Sequence, residues 1–286
     1  MERKSARRAL LSVSDKRGLT DLAAGLHRLG VGLIATSSTA AAIQAAGIPV
    51  QEVSSVTGFP EILAGRVKTL HPKIHGGVLV PQDDAEALRE IGDLGIEPFD
   101  LVVVNLYPFE EAVASECSLS KCVEMIDIGG PTLLRAAAKN FAHVATVTSP
   151  DQYEDVLAEL DLGGTTEMFR LHLAREAFQR TADYDINVAS WFQTQGDAAP
   201  KFPDWVGAAY ELDRSLRYGE NPHQEAAVYR QVAPGMPWLV SCVSHCPVVW
   251  VVQSKFSESD PGGVLLWGAW GFARQEAGTV GFTFNT

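Results

Sequence analysis

Residues 100–109, DLVVVNLYPF, contain the stretch that decides the fold class. The apolar run at 101–106 shows no alternation of polar and apolar residues, a pattern typical of a strand buried on both faces of a parallel sheet. Shorter strand-like runs stand at 9–13, 31–35, 49–53 and 143–148. Helical segments separate several of these runs, and this β–α alternation predicts a doubly wound, mostly parallel α/β sheet over residues 1–150.

Helical spacing of apolar residues predicts helices over 18–29 and 39–46. Pro131 stands at the start of TLLRAAAK, where a proline suits the first helical turn. Residues 151–200 are predicted to form a helical extension, with a linker beginning near residue 194. A separate segment follows at 201–233.

The last 53 residues, 234–286, differ from the rest of the chain in composition. They hold two basic and three acidic residues and four of the six tryptophans, and they show no clear period. We interpret this tail, whose fold the sequence leaves unknown, as out-of-frame or mis-spliced translation. A divergent extension and a small β-rich cap are the alternatives.

Composition excludes several classes of protein. With 286 residues, 46% hydrophobic and 20% charged, the chain can bury a sizeable core and is not disordered. No run of 18 apolar residues predicts a membrane span, and the apolar run near the N-terminus is too short for a signal peptide, so we expect a cytoplasmic protein. The net charge of −12 argues against a nucleic-acid binder, so local cations must hold any anionic substrate.

Cysteine and histidine spacing predicts neither a disulfide scaffold nor a metal site. Four cysteines in 286 residues are too few for a scaffold, and we expect them to be small buried or surface residues. His71 and His75 are four residues apart, but Pro72 disfavours a regular interior helical turn between them and no third ligand is near. Walker, GxGxxG, HExxH and GxSxG motifs are also absent from the sequence.

The segment GRVKTLHPKIHGG at 65–77 is the densest polar signal. No acidic residue occurs from Ile62 to Gln82, although Arg66, Lys68 and Lys73 are present. Arg66 and Lys68 could hold a phosphate or a developing oxyanion. A solvated basic loop is the alternative.

Polar residues also follow three of the predicted strands or precede a helix. The segments are Ser14-Asp15-Lys16, Thr36-Ser37-Ser38-Thr39, Asn105-Leu106-Tyr107 and Asp127-Ile128-Gly129-Gly130. Hydroxyls and backbone N–H groups at a helix start can receive a phosphate, and helix capping is the alternative. Tyr107 could move a proton or simply pack, and Arg135 and Lys139 share a helix face that could be a surface stripe.

Five segments together resemble one enzyme family. SVSDKRGL, VTGFPEILAGRVKTLHPKIHGG, DLVVVNLYPF, IDIGGPTLLRAAAKN and LRYGENPHQ occur in this order within residues 8–233. The set resembles the bifunctional purine-biosynthesis enzymes that combine IMP cyclohydrolase with AICAR (5-aminoimidazole-4-carboxamide ribotide) formyltransferase. The resemblance implies a methylglyoxal-synthase-like cyclohydrolase domain at 1–150 and a truncated start of the formyltransferase domain at 201–233.

The resemblance also implies a reaction and its participants. The cyclohydrolase closes the ring of formyl-AICAR, a purine ribotide, to IMP with loss of water, and it needs no cofactor or metal. In the full-length family, 10-formyltetrahydrofolate serves the formyltransferase. A homodimer is implied, with no nucleic-acid or membrane partner.

The family's functional residues fall on matching positions of this sequence. Lys139 matches the proton-transfer lysine, and Lys68, Tyr107 and Asp127 match other groups implicated in the chemistry. We hypothesise that Asp127 draws the carboxamide proton, that Lys68 and Tyr107 orient the formyl oxygen, and that Lys139 shuttles a proton to the departing water. The implied substrate contacts are Ser14, Asp15, Lys16, Thr36, Ser37, Ser38, Thr39, Arg66, Val67, Lys68, Thr69, Val104, Asn105, Asp127 and Ile128. Arg217 and Tyr218 match a fragment of the formyltransferase site.

Two departures from the family pattern leave other functions open. Ser37-Ser38 stands where the family usually has Gly-Gly, which would cost energy if either position needs a positive φ or close phosphate approach. The formyltransferase lysine–histidine pair does not appear after Pro234, so we expect no formyl transfer by this chain. A phosphate-binding regulatory module and an inactive remnant that dimerises are the alternatives.

Overall fold

A parallel sheet of five strands forms the centre of the first 182 residues. The computed structural model describes residues 2–115, 117–195, 204–217, 226–231, 249–254 and 264–269. The strands of this part are β1 (Arg3–Lys4), β2 (Arg8–Val13), β3 (Gly32–Ala35), β4 (Gln51–Glu52), β5 (Leu101–Asn105), β6 (Ala145–Val147) and β7 (Thr165–Thr166). The parallel sheet has the order β4-β3-β2-β5-β6, and β1 pairs with β7 in a separate antiparallel ribbon. The predicted fold class is confirmed.

Ten helices and two short 3₁₀ turns, Leu63–Gly65 and Pro150–Gln152, accompany the strands in the described part of the chain. The helices are α1 (Leu19–Arg28), α2 (Ser37–Ala45), α3 (Val53–Thr57), α4 (Pro72–Leu79), α5 (Ala85–Asp93), α6 (Phe109–Ala114), α7 (Leu119–Glu124), α8 (Gly129–Lys139), α9 (Tyr153–Asp161) and α10 (Glu167–Gln193). One core cluster joins α1, α2 and α9 to alternate residues of the sheet. Helices α4 and α8 pack against each other, and α8 also packs against β5 and β6.

Burial of both sheet faces explains the unbroken apolar strands. Leu10 and Leu11 are adjacent on β2 and are both fully buried, although successive side chains of a strand point to opposite faces. Leu11 belongs to the core cluster that contains α1, and Leu10 does not. A strand covered on both sides needs an apolar residue at each position, which is the pattern that the sequence shows.

Local structure differs from the sequence predictions at several places, including the following three. The strand expected at 49–53 is shortened to Gln51–Glu52, because α3 begins at Val53. Helix α4 was not predicted: Pro72 is its first residue, and His71 caps it by accepting a hydrogen bond from the Lys73 N–H at 3.1 Å. The helical stretch after residue 151 is interrupted at Gly163 and Gly164, whose φ angles of 96° and 131° end α9 before β7.

The cysteine prediction was also wrong in part. A disulfide joins Cys117 and Cys122, whose Cα atoms are 5.8 Å apart, within the range that this bond requires. The five-residue separation spans the turn into α7, which brings the two side chains together. Cys242 and Cys246 lie outside the described residues.

Residues 183–286 form a second compact unit, after a first at 1–182. Its described strands are β8 (Tyr210–Leu216), β9 (Ala226–Gln231), β10 (Val249–Ser254) and β11 (Val264–Ala269). They form an antiparallel sheet in the order β11-β10-β9-β8. Two of these strands lie in the 234–286 tail. The origin of this tail stays a prediction, and so do the domain boundaries at residues 150, 200 and 233. Among the described helices, none is both long and apolar enough to cross a membrane.

Candidate active site

The site lies where the order of the parallel strands reverses. From the central strand β2 the chain goes to β3 and β4 on one side, and β5 and β6 lie on the other. In sheets of this kind ligands bind in the crevice beyond the carboxyl ends of the strands at such a point. The loops that flank the crevice are Ser14-Asp15-Lys16 after β2 and Leu106-Tyr107 after β5.

Asn105, at the end of β5, holds these two strand ends together. Its Oδ1 accepts hydrogen bonds from the backbone N–H groups of Ser14 at 2.5 Å and Asp15 at 2.8 Å, and its Nδ2 donates to the Asp15 carbonyl at 2.9 Å. One amide side chain therefore fixes the course of the loop after β2.

Lys16 connects this loop to the start of α2. Its ammonium donates to Thr39 Oγ1 at 3.1 Å, to Ser38 Oγ at 3.5 Å and to the Val13 carbonyl. Burial and, secondarily, the charge of Lys68 lower the pKa of Lys16. A half-buried ammonium beside hydroxyl groups and a helix N-terminus is an arrangement suited to an anion.

The serines that replace the family's glycines adopt ordinary backbone conformations. Ser37 and Ser38 form the first turn of α2 after the extended Thr36, and no non-glycine residue in the described ranges has a positive φ except Leu63 and Ala64. Neither serine therefore has the backbone strain of a left-handed conformation. Ser37 Oγ instead donates a hydrogen bond to the carboxylate of Glu61.

The capping alternative for Asp15 was wrong. Helix α1 is capped by Gly18, whose φ of 64° lies in the left-handed region. Asp15 instead accepts a hydrogen bond from the Arg17 N–H at 2.9 Å and pairs with the Arg17 guanidinium at 2.6 Å. Its carboxylate thus orders the turn before the helix.

A tight loop carries Arg66, Val67, Lys68 and Thr69 to the crevice. Ile62 and Val67 form an antiparallel bridge, and the turn between them contains Leu63, Ala64 and Gly65, all with positive φ. After the turn, Arg66 forms an ion pair with Glu124 of α7. Two residues further on, the Lys68 ammonium lies 3.5 Å from the Tyr107 hydroxyl.

Asp127 stands at the N-terminus of α8, facing this pair. Its Oδ1 accepts the Gly130 N–H at 2.8 Å. Burial raises the pKa of Asp127, although the Gly130 N–H, the charge of Lys68 and the backbone N–H groups of Tyr107 and Gly129 act in the opposite direction. A half-buried carboxylate with a raised pKa, close to a lysine and a tyrosine, is suited to taking up a proton.

Gly129 and Gly130 allow this close packing. A Cβ on Gly129 would lie 3.0 Å from Thr69 Oγ1, and one on Gly130 would lie 2.8 Å from Leu106 Cδ2 and 2.9 Å from Asp127 Cγ. The two glycines therefore bring the helix start against the other two loops of the crevice.

The structure does not bring every predicted residue to this place. Lys139 lies at the other end of α8, about 15 Å along the helix axis from Gly129 at about 1.5 Å per residue. There it lines a different cavity together with Arg135. Arg217 is exposed in the second unit, and Tyr218 lies outside the described residues.

The other predicted contacts differ in accessibility. Val104 is buried within β5, Thr69 is buried behind Gly129, and Val67 is half-buried. Ile128 is exposed and stands beside Asp127 at the mouth of the crevice. Thr36 is buried, with its hydroxyl 3.3 Å from Ser12 Oγ.

Sequence reasoning missed three residues at this site. Glu61 and Glu124 hold Ser37 and Arg66, and neither has a sequence signal, because each contact depends on how distant loops meet. The third is Tyr153, whose ring lies beside Gly18; burial, with the charge of Asp15, raises its pKa to about 12. Within the described ranges no cluster of three His, Cys, Asp or Glu residues is placed to hold a metal ion.

Two family models match successive parts of the chain. The family model described as an MGS-like domain matches residues 18–132, and the one described as AICARFT/IMPCHase bienzyme matches 137–242. A solved structure titled "Crystal structure of ForH" superposes with a TM-score of 0.60 at 39% identity, and the alignment covers 67% of this chain and all of that one.

Curated relatives extend the match across both parts of the chain. The "Bifunctional purine biosynthesis protein PurH" of Corynebacterium glutamicum (strain R) is 54% identical over 231 residues, which cover 80% of this chain and 44% of the relative. The protein of the same name from Mycobacterium marinum is 54% identical over 230 residues, or 79% of this chain and 44% of the relative. The chain thus spans a little under half the length of these relatives, and it belongs to the AICARFT/IMPCHase bienzyme family.

Proposed function

We propose that the crevice between the ends of β2 and β5 is an IMP cyclohydrolase site that closes the ring of formyl-AICAR. The observation that carries the proposal is the placement of Lys68, Tyr107 and Asp127, brought together from three loops. The Lys68 ammonium lies 3.5 Å from the Tyr107 hydroxyl, and both Lys68 and the Tyr107 N–H act on the Asp127 carboxylate. A site that only bound phosphate would need the cations but not a carboxylate with a raised pKa.

The proposed reaction forms a bond between the carboxamide nitrogen and the formyl carbon. The formyl oxygen leaves as water and takes one proton from the carboxamide nitrogen and one from the formamido nitrogen. Asp127 accepts the carboxamide proton, while Lys68 and Tyr107 donate hydrogen bonds to the formyl oxygen as negative charge develops on it. Because the step is intramolecular, holding a cyclisable conformer supplies much of the acceleration.

The phosphate of the ribotide is proposed to bind at the start of α2. Lys16, Thr39 and Ser38 already form one hydrogen-bonded group there. The first-turn N–H groups of α2 add donors at the positive end of its dipole. Arg66 is available to the substrate once it leaves Glu124, since both side chains are exposed.

The test is the absorbance change on IMP formation from formyl-AICAR. Asp127→Asn and Lys68→Gln should each lower kcat about 10²–10⁴-fold, the range typical of general acid–base catalysis. Lys121→Gln, which removes an exposed lysine of α7, is the matched control and should keep the wild-type rate. A folded wild-type protein that binds the ribotide but forms no IMP would instead support the regulatory module.

Lys139 requires its own test. Its proton-transfer role comes from the resemblance, and its position at the far end of α8 gives it no contact with Asp127 within one chain. Loss of activity in Lys139→Ala would support the role, and a normal rate would remove Lys139 from the mechanism without affecting the other three residues.

The remaining family properties are proposals that rest on the resemblance. We propose that the protein is a homodimer, which sedimentation of the purified chain would test, and that it is cytoplasmic. The cyclohydrolase proposal needs no cofactor. We also propose that the 286 residues do not transfer a formyl group, and transfer from 10-formyltetrahydrofolate to AICAR above background would contradict this.

A further inference from the structure

A disulfide closes the turn between the short helices α6 and α7, within a segment that carries two groups of the proposed active site. The segment begins after β5 with Tyr107, runs through α6 and α7, and reaches Asp127 shortly before α8. The bond between Cys117 and Cys122 lies in the middle of it. A change in this bond therefore acts on the chain that leads to both groups.

Helix α7 has little buried surface apart from Cys122. The structure describes all six residues of this helix, and Cys122 is the only one that is buried. A helix of this length is not stable by itself in water. Its Glu124 pairs with Arg66, but both side chains are more than half exposed, and ion pairs of this kind contribute little stability. The disulfide is therefore an important constraint on the position of α7.

The end of α7 leads directly to the carboxylate of the crevice. The Met125 N–H donates a hydrogen bond to the Cys122 carbonyl at 3.1 Å. Asp127 stands two residues further on, and its Oδ1 accepts the Gly130 N–H at 2.8 Å. A shift of the backbone at Cys122 therefore displaces the residues that set the position of Asp127.

The two sulfur atoms belong to residues that differ in accessibility. Cys122 is 2% exposed, whereas Cys117 is half-buried. Because thiol–disulfide exchange requires a thiolate to reach one sulfur, we expect attack at Cys117 and release of Cys122. In the reduced state the Cys122 thiol keeps a weak acceptor, the Cys117 carbonyl, 3.4 Å from its Sγ. Reduction thus replaces a covalent bond by a weak hydrogen bond.

We propose that Cys117–Cys122 is a reversible redox site, opened by a dithiol reductant, and that its opening loosens the placement of Asp127. One thiolate of the reductant forms a mixed disulfide with Cys117, and Cys122 leaves as a thiolate and takes up a proton. The second thiolate of the reductant then displaces Cys117, which is protonated in turn. Two electrons and two protons pass to the protein, and the reductant becomes a disulfide.

The location proposed above favours a reversible bond. Disulfides of cytoplasmic proteins are usually transient and either catalytic or redox-sensing. The effect of reduction on the rate of ring closure rests on the proposed cyclohydrolase function. The redox site and the loosening of the segment do not, so they are measured separately from activity.

Trypsin distinguishes the two redox states, because Lys121 lies between the two cysteines. Cleavage after Arg89, Lys121 and Arg135 yields fragments 90–121 and 122–135, each of which holds one of them. After alkylation of free thiols, mass spectrometry should find these fragments joined in the oxidised full chain. They should separate after treatment with dithiothreitol and join again when the protein is reoxidised with the disulfide form of that reagent.

Hydrogen exchange followed by NMR measures the loosening without an activity assay. The amides of Met125 and Gly130 should exchange about tenfold faster in the reduced chain, since a cross-link over so short a loop lies toward the low end of disulfide effects. The Leu22 amide of α1, which donates to the Gly18 carbonyl at 3.0 Å, is the internal reference and should not change.

Variants assign the response to this pair of cysteines. Cys117→Ser removes the more accessible sulfur, and it should exchange like the reduced wild type with or without dithiothreitol. The matched control is the double variant Cys242→Ser and Cys246→Ser, which removes the other two cysteines and should respond as the wild type does. Ring closure should be about tenfold slower in the reduced chain and in Cys117→Ser, because small displacements of a positioned group slow a reaction strongly.

Three results would overturn the proposal. One is that fragments 90–121 and 122–135 are never joined in the oxidised chain, and another is that exchange at Met125 and Gly130 is the same in both redox states. The third is a response to dithiothreitol that persists in Cys117→Ser. A chain that forms no IMP in either state would refute the cyclohydrolase alone, since hydrogen exchange still decides the redox site. Equal rates of ring closure in both states of an active chain would show that the bond does not position Asp127.

Discussion

Replacement of Asn105 by alanine should loosen the crevice and reduce the stability of the first unit. The side chain makes three hydrogen bonds of 2.5, 2.8 and 2.9 Å to the backbone of Ser14 and Asp15. A net value of about 0.5–1.5 kcal/mol for each bond gives an upper range of about 1.5–4.5 kcal/mol. Because the loop is half-buried and water can replace part of the lost bonding, we expect a loss of about 2 kcal/mol in the free energy of unfolding.

Asn140→Ala is the matched control for this experiment. Asn140 also bonds backbone through its side chain, to the carbonyls of Val78 at 2.8 Å and Val80 at 2.9 Å, but it follows the far end of α8. Its removal should cost about 1–3 kcal/mol of stability, by the same value per bond, without a change in the kcat of ring closure. Asn105→Ala should lower kcat as well, because the loop that carries Lys16 is no longer held.

Urea unfolding followed by circular dichroism measures the stabilities, and IMP formation measures kcat. Hydrogen exchange of the Ser14 and Asp15 amides gives a local reading, and it should accelerate in Asn105→Ala alone. An Asn105→Ala variant with wild-type exchange at these two amides would refute the reasoning. So would equal effects of the two asparagine substitutions on kcat.

Three other predictions follow from the same loops. Gly130→Ala should displace the Asp127 carboxylate and lower kcat at least about tenfold, since its Cβ would lie 2.9 Å from Asp127 Cγ. The control Gly92→Ala has open space around the new Cβ, so it should keep activity and raise the free energy of unfolding by up to about 1 kcal/mol. Burial raises the pKa of Asp127 in the folded state, so the bound proton stabilises the fold most below the unfolded pKa of about 4, and this stabilisation is lost as the pH rises through the folded pKa. The unfolding free energy of Asp127→Asn relative to wild type should therefore increase across that pH interval. Over the same interval, the rate of ring closure in wild type should rise as the Asp127 carboxyl ionises. Ala64→Gly should relieve a left-handed φ of 53° and raise the unfolding free energy by up to about 1 kcal/mol, and a loss of stability instead would show that this turn is not strained.

The fold class followed from local pattern, as the apolar run of β5 illustrates. A strand covered on both faces must be apolar at every position, and that requirement is visible in the residues themselves. Pro131 likewise marked a helix start, and it lies in the first turn of α8, because the effect of a proline on helix formation acts within a few residues. Helix α4 escaped prediction, since the proline that was expected to prevent a helical turn is the first residue of that helix.

The polar segments of the site could also be found from the sequence, since parallel strands bring their carboxyl ends to one edge. What the sequence alone could not supply was the pairing of their side chains. Asn105 and Ser14 are 91 residues apart, and Arg66 and Glu124 are 58 apart. Such contacts depend on strand order and loop course, which no local pattern encodes.

Sequence by itself determined the parallel α/β sheet, the strand-end segments and the family resemblance. Only the tertiary structure decided which of those segments meet. It placed Lys68, Tyr107 and Asp127 together and left Lys139 at the opposite end of α8, because a straight helix separates residues in proportion to their number. It also raised the pKa of Asp127 through burial, since desolvation is a property of the packed molecule and not of the residue.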